Sequence, residues 1–267
     1  MTNLASEQAS ARLNVLVHHV SNVISRHPSL VSAAVPATLL ALLMPSMKRD
    51  YQAFLDLGEG GLPYNPFGWV IARLLGLLGR ETKSIDIYDK HPEKRAWLSN
   101  PLPQRDGPRP TIGRHVAPHR QIDQHPPESV KLSARALIDI IHVLHPSTTV
   151  LAPSVHEGHC EALFVHPEVP CPVAEKAITD HRGREIGHVH PLIDCSFHAL
   201  IAPRDCKEVI TKGWGERHPL SGVFGDKDVQ VNFLFIYAPR IEKELEVVTR
   251  ILDAAVGYMT NDESIGH

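Results

Sequence analysis

Three segments carry apolar residues at helical spacing. In residues 13–24 these are Leu13, Leu16, Val17, Val20, Val23 and Ile24; in 130–144 they are Leu132, Leu137, Ile138, Ile141 and Leu144. In residues 242–257, Leu245, Val248, Leu252 and Ala255 share one face and charges occupy the other. A shorter helix is predicted over 206–212. Four segments rich in β-branched and aromatic residues read as strands: 161–166, 185–190, 196–202 and 229–237. Helices, then a strand-rich middle with inserted helices, then a helix make an α+β fold. The expectation is a mostly antiparallel sheet packed with helices and preceded by a hydrophobic N-terminal helix.

That N-terminal segment has its own character. Residues 30–47, LVSAAVPATLLALLMPSM, carry no charge. As a helix they would reach about 27 Å, close to a ~30 Å hydrocarbon core. A secretory signal would begin nearer residue 1, and a buried core helix is the bland reading. The favoured expectation is a single anchor in an intracellular membrane, with Lys48 and Arg49 placing the main domain in the cytosol. The division is therefore an amphipathic and anchoring segment, 1–47, and a catalytic domain, 48–267. A second apolar stretch, 67–78, contains Arg73 and is too short to span; it suits a core helix or one lying on an apolar surface.

Prolines at 101, 103, 108, 110, 118, 126 and 127 make 101–127 the most irregular region, an extended excursion over the surface. No GxGxxG, GxxxxGK[ST] or GxSxG motif is present, which leaves dinucleotide, nucleotide and serine-hydrolase sites without support. A net charge of −3 with no basic stripe gives no reason to expect a nucleic-acid partner. The four cysteines, Cys160, Cys171, Cys195 and Cys206, form no CxxC pair and read as reduced thiols of an intracellular protein.

The 18 histidines are the compositional oddity, and they concentrate chemistry between residues 184 and 222. His188 and His190, two apart on a strand, point to one face. Residues 191–194 can turn the chain so that Ser196, His198 and Leu200 share one face of the returning strand. His188, His190 and His198 can then converge, with Asp194 orienting one imidazole. Downstream, the run from Gly213 to Pro219 offers Trp214 as an aromatic wall, Arg217 as a permanent cation and His218. Upstream, His156-Glu157-Gly158-His159 adds a carboxylate and two imidazoles without HExxH spacing. Such a set suits zinc or non-haem iron, yet chance matches are frequent where histidines abound, and the expectation is no resident metal.

The run REIGHVH, DCSFH and DCKEVITKGWGERHPLSG resembles the core signature of the fungal luciferase family. The resemblance extends through Arg49-Asp50-Tyr51-Gln52, Ile87-Tyr88-Asp89, Pro92-Glu93-Lys94-Arg95, Tyr237-Ala238-Pro239-Arg240 and the block from Gly257 to Asp262. In the HEGH run only Glu157 and His159 look familial. The resemblance implies an oxygenase acting on 3-hydroxyhispidin, a pyrone luciferin, with O2 as co-substrate and no bound cofactor. Loss of CO2 from a cyclic peroxide would leave an excited oxyluciferin. It also implies an N-terminal membrane anchor. Residue chemistry suits a base at His188 or His190 with Asp194 behind it, and His198 and His218 beside the developing anions. Trp214, Arg217, Tyr237, Glu157 and His159 are expected to bind substrate. A dark homologue, either a metal-dependent hydrolase or dioxygenase or a small-molecule binder, is the alternative.

Overall fold

The computed structural model describes residues 2–26, 28–173, 181–223 and 230–266; the side chains of 2–7, 9, 28–31, 33, 35, 181 and 182 lie outside the description. The chain divides into two compact units, Met1–Gln52 and Ala53–His267. Helix α1 (Thr2–Arg26) belongs to the first, and α2 (Pro28–Leu55) makes up most of the rest of it. The apolar positions of the predicted 13–24 helix fall within α1 and are exposed.

The anchor expectation finds no support in the described residues. Among the described residues no helix is long and apolar enough to cross a membrane. The apolar run is not a separate element: α2 continues through Lys48, Arg49 and Asp50 to Leu55, and Pro36 and Pro45 lie inside it. Part of the stretch, including the side chains at 30, 31, 33 and 35, lies outside the described residues.

The second unit is built on a six-stranded sheet, antiparallel at every pairing, in the order β1-β2-β3-β4-β6-β5. Its strands are β1 (Thr149–Pro153), β2 (Glu161–Val165), β3 (Glu185–Val189), β4 (Phe197–Leu200), β5 (Gly215–Arg217) and β6 (Phe233–Ile236). Helices α3 (Pro66–Gly76), α4 (Asp86–Asp89), α5 (Glu128–Leu144), α6 (Pro203–Thr211) and α7 (Glu242–Thr260) complete it. The fold is thus α+β, as the order of elements predicts. The predicted strand at 229–237 proves shorter, and its first position, 229, lies outside the described residues.

Helices α5 and α7 lie on one face of β1 to β4. They bury Ile138, Ile141, Val248, Ile251 and Ala255 against Val189, Phe197 and Ala199, which alternate along β3 and β4 as a one-sided apolar strand requires. The α7 C-terminus closes on Asn261 in the left-handed region, where its N–H reaches the Tyr258 carbonyl at 3.2 Å. The proline-rich excursion runs across the opposite face, tied by the Ile112–Gln121 bridge and by the Arg109 guanidinium, which donates to the Gly215 carbonyl at 2.9 Å.

A histidine chamber on the second face of the sheet

Register creates the site. His188 pairs with His198, His198 with Phe235, and Phe235 with Glu216, so these four project from one face as a row across β3, β4, β6 and β5. Gly187 permits this spacing: a Cβ there would lie 2.5 Å from the His198 carbonyl oxygen. His190 follows β3 on the same side, and His218 follows β5. Ring centroids separate His188 from His190 by 5.2 Å, His188 from His198 by 5.4 Å, His190 from His198 by 5.0 Å and His198 from His218 by 5.2 Å. Phe233 stacks on His198 at 4.8 Å and 7°.

Loops roof the row. His119, delivered by the proline-rich excursion, sits 5.0 Å from His218 and 4.3 Å from Phe235. The turn after β1 brings His156 and Glu157, and Gly61 passes so close that a Cβ would meet the His156 carbonyl at 2.1 Å. The cavity is about 150 Å³ and is lined by His119, His156, Glu157, His188, His198, His218 and Phe233, with Gly61, Leu62, Ala117 and Pro118 at its wall. A larger cleft of about 490 Å³, lined by Tyr88, Lys207, Glu208 and Lys212 among others, involves none of these histidines.

Hydrogen bonds fix the imidazole tautomers. His188 Nδ1 lies 2.6 Å from Glu185, whose carboxylate also accepts from Ser154 Oγ and the Val155 N–H. Nδ1 therefore holds a proton, and Nε2 presents its lone pair. His190 Nδ1 lies 2.8 Å from Ser196 Oγ, whose own proton goes to Asp194 at 2.6 Å, so this ring too donates from Nδ1. His198 Nδ1 donates to the Leu234 carbonyl at 3.1 Å, leaving Nε2 an acceptor. His218 is the opposite case: its Nδ1 accepts the Leu220 N–H at 3.1 Å, so Nε2 carries the hydrogen.

Charge is distributed around the cluster rather than on it. Burial and neighbouring imidazoles hold His119, His190 and His198 well below the ordinary histidine range, with Arg120 adding to the effect on His119 and His190. The same causes push His218 down to about 3, with His156 and His188 as its imidazole neighbours. Burial, the largest single effect, raises Glu185, but the bond and charge of His188, the charge of His156 and the Val155 N–H together outweigh it, so the carboxyl titrates below its usual value. Asp194 is raised by burial, against Arg120 and its Ser196 and Gln121 donors. Glu157 is buried against Arg120, with contacts of 3.2 and 2.6 Å.

Of the residues singled out from the sequence, His188, His190, His198, His218 and Glu157 come together here. Asp194 reaches His190 through Ser196, its nearer oxygen being 3.8 Å from Nδ1. His159 stands at the edge, partly exposed and 3.7 Å from Glu157. Three do not reach the cavity. Trp214 is packed in the core, where its indole N–H donates to the Pro103 carbonyl at 2.7 Å. Arg217 projects from the other face of β5 toward the Glu81 carbonyl, because residues of consecutive strand positions alternate sides. Tyr237 lies beyond Phe235 and donates to Glu216 at 2.8 Å. Sequence reasoning missed His119, Arg120, Glu185, Phe233 and Phe235. Only Phe233 and Phe235 had a signal, alternation along a predicted strand.

A family model described as "Luciferase domain" matches residues 183–255, the segment from the start of β3 into α7. The chain is 37% identical over 261 residues to a protein of Neonothopanus nambi named "Luciferase", covering 94% of each chain. It is 40% identical to a "Luciferase" of Armillaria ostoyae, covering 92% of this chain and 93% of that one. Identity to a "Luciferase" of Armillaria mellea is 41% over 239 residues, or 87% and 88% of the two chains. No solved structure matches.

Proposed function

The chain belongs to the fungal luciferase family, and from that premise we propose that it is a light-emitting oxygenase. Its substrate in this reading is 3-hydroxyhispidin, to which it adds O2, releasing CO2 and an excited oxyluciferin. The observation that carries the proposal is similarity over nearly the whole length of relatives named luciferase, across the segment that builds the histidine chamber.

The chamber suits the chemistry asked of it. A hydroxylated pyrone reacts with O2 as its enolate, so a neutral base must meet the enol at working pH. His198 lines the cavity with an acceptor Nε2, placed to take the enol proton. His218, with its proton on Nε2, is the matching donor toward the anion that forms. Phe233 supplies a flat apolar wall, with Phe235 behind it against His119. The cavity of about 150 Å³ is smaller than the ~300 Å³ of ordinary small-molecule sites. In this reading it admits the reacting pyrone, while the aromatic arm occupies the mouth beside Leu62 and Ala117.

The test is light and O2 uptake on mixing purified protein with 3-hydroxyhispidin in air. Light from the wild type, and at least a hundredfold less from folded His198→Ala, is the expected result. A folded wild type that neither emits nor consumes O2 would overturn the proposal and leave a dark homologue.

A further inference from the structure

We propose that His119 is a further catalytic residue of the chamber, the carrier that takes the substrate's proton from His198 and returns it to the product, a role that rests on the oxygenase reading above. Loss of CO2 carries away no hydrogen, so a proton removed from the enol has to come back.

His119 lines the same cavity as His198 and His218. One nitrogen of each of these three rings lies within 4.8 Å of the other two, a separation that one water or a small ring turn closes. The ring rests on Phe235, with centroids 4.3 Å apart. Its backbone is held on the far side: the Arg120 guanidinium donates to the His119 carbonyl at 3.1 Å, and the Gln121 N–H donates to Asp194 at 2.8 Å. The imidazole is thus delivered accurately by a segment that has no regular structure of its own.

Its edges, by contrast, are uncommitted. Nδ1 and Nε2 of His119 are both buried, and neither has a hydrogen-bond partner. In His188, His190, His198 and His218, Nδ1 is engaged and the tautomer is fixed. A neutral imidazole holds one hydrogen and one lone pair. With nothing choosing between its nitrogens, His119 can accept at one and release from the other, which is what a proton carrier needs. His198 lacks that freedom: its Nδ1 hydrogen ends on the Leu234 carbonyl, so a proton gained at Nε2 leaves only toward the cavity. Burial, His218 and Arg120 all disfavour the charged form of His119, so a proton held there is readily given up.

The steps balance. The enol O–H breaks, its electron pair stays on the pyrone, and the proton passes through His198 Nε2 to His119. The enolate carbon then bonds to O2, which its electron pair reduces to a peroxide anion. The negative charge stays with the substrate through closure on the lactone carbonyl and loss of CO2. The product anion finally recovers the proton from His119, and both rings are neutral again.

The experiment mixes 3-hydroxyhispidin with wild type, His119→Ala and His119→Gln, each shown to be folded by circular dichroism. Ionisation of the bound pyrone is followed by absorbance under nitrogen, and light and O2 uptake after admitting air. Both variants should ionise the pyrone and emit ~100-fold more slowly, with KM within ~threefold of wild type. Added imidazole should restore His119→Ala at least ~tenfold and leave His119→Gln, whose side chain fills the place, unrescued. The Gln variant keeps the test open if Ala does not fold. A kcat within ~threefold of wild type, a loss confined to KM, or a folded Ala variant that imidazole does not rescue overturns the carrier. Wild type that ionises the pyrone yet stays dark in air defeats the oxygenase reading and leaves the proton path standing. Wild type that does neither defeats both.

Discussion

Removing the Arg120 guanidinium should be among the most destabilising single changes in the second unit. Arg120 and Glu157 are 4% and 8% exposed, and the guanidinium makes both of its contacts to the carboxylate away from water. It also donates to the Glu59 carbonyl at 3.0 Å and the His119 carbonyl at 3.1 Å. Arg120→Met keeps much of the volume but strands a buried carboxylate. Breaking one side of such a pair costs ~3–5 kcal/mol, although the intact pair adds little net stability. Against a total of ~5–15 kcal/mol, that is a large fraction. Adding Glu157→Gln removes the stranded charge and should recover about half the loss. The remainder, ~1–3 kcal/mol, reflects the two carbonyls left without a donor. Urea unfolding followed by tryptophan fluorescence measures both. With a slope of ~3 kcal/mol/M, Arg120→Met should move the midpoint down by ~1–1.7 M. A shift under ~0.3 M, or a double variant no more stable than the single one, would refute the picture of a dry, mutually dependent pair.

Other outcomes follow from the same structure. His119, His190, His198 and His218 are depressed when folded but titrate near ~6.5 when unfolded. Below that pH the unfolded chain binds more protons, so the protein should lose ~1.4 kcal/mol per histidine per pH unit; a Tm unchanged between pH 7.5 and 5.5 would contradict this. Asp205, raised by burial to about 6, behaves inversely: the folded state binds the proton first, so this group's contribution improves as pH falls from 6 toward 4. Asp205→Asn can still accept the Trp97 N–H and should stabilise by ~1–3 kcal/mol at pH 7 with little effect at pH 4, as chemical denaturation at the two values would show. Gly187→Ala, forced against the His198 carbonyl, should cost ~1–3 kcal/mol and cut light more than Ala substitution at exposed Gly76, compared at equal folded protein.

The histidine hairpin was legible because period-two spacing needs no knowledge of the partner strand. His188 and His190 had to share a face, and a turn at 191–195 had to return His198 to them. Arg217 and Tyr237 do not line the cavity for a related reason: nearness in sequence to His218 or Phe235 does not place a side chain on the same side or depth of a sheet. β5 is only three residues long, too short for alternation to declare itself. His119 was unreadable, since the proline-rich excursion has no periodicity and reaches the site only through tertiary contacts. Glu185 looked like a strand's first polar residue, yet it is buried beneath His188 as its hydrogen-bond partner. The apolar run at 30–47 belongs to a helix that carries on into Lys48, Arg49 and Asp50, a continuation that composition does not reveal.

The strand order β4-β6-β5 also sets a timetable for the ribosome. β5 is made before β6 but pairs with it, and β4 likewise leaves one edge to be filled by β6. The nascent chain can close the His188–His198 hairpin early, while β4 and β5 wait with open edges until residues 233–236 emerge. Phe233 and Phe235, which pack against the imidazoles, arrive in that same late segment. Chains released before residue 236 would expose unsatisfied edges on β4 and β5 and an incomplete histidine row, a combination prone to edge-to-edge association. Completion of the sheet and completion of the row are therefore one event, tied to the emergence of residues 233–236.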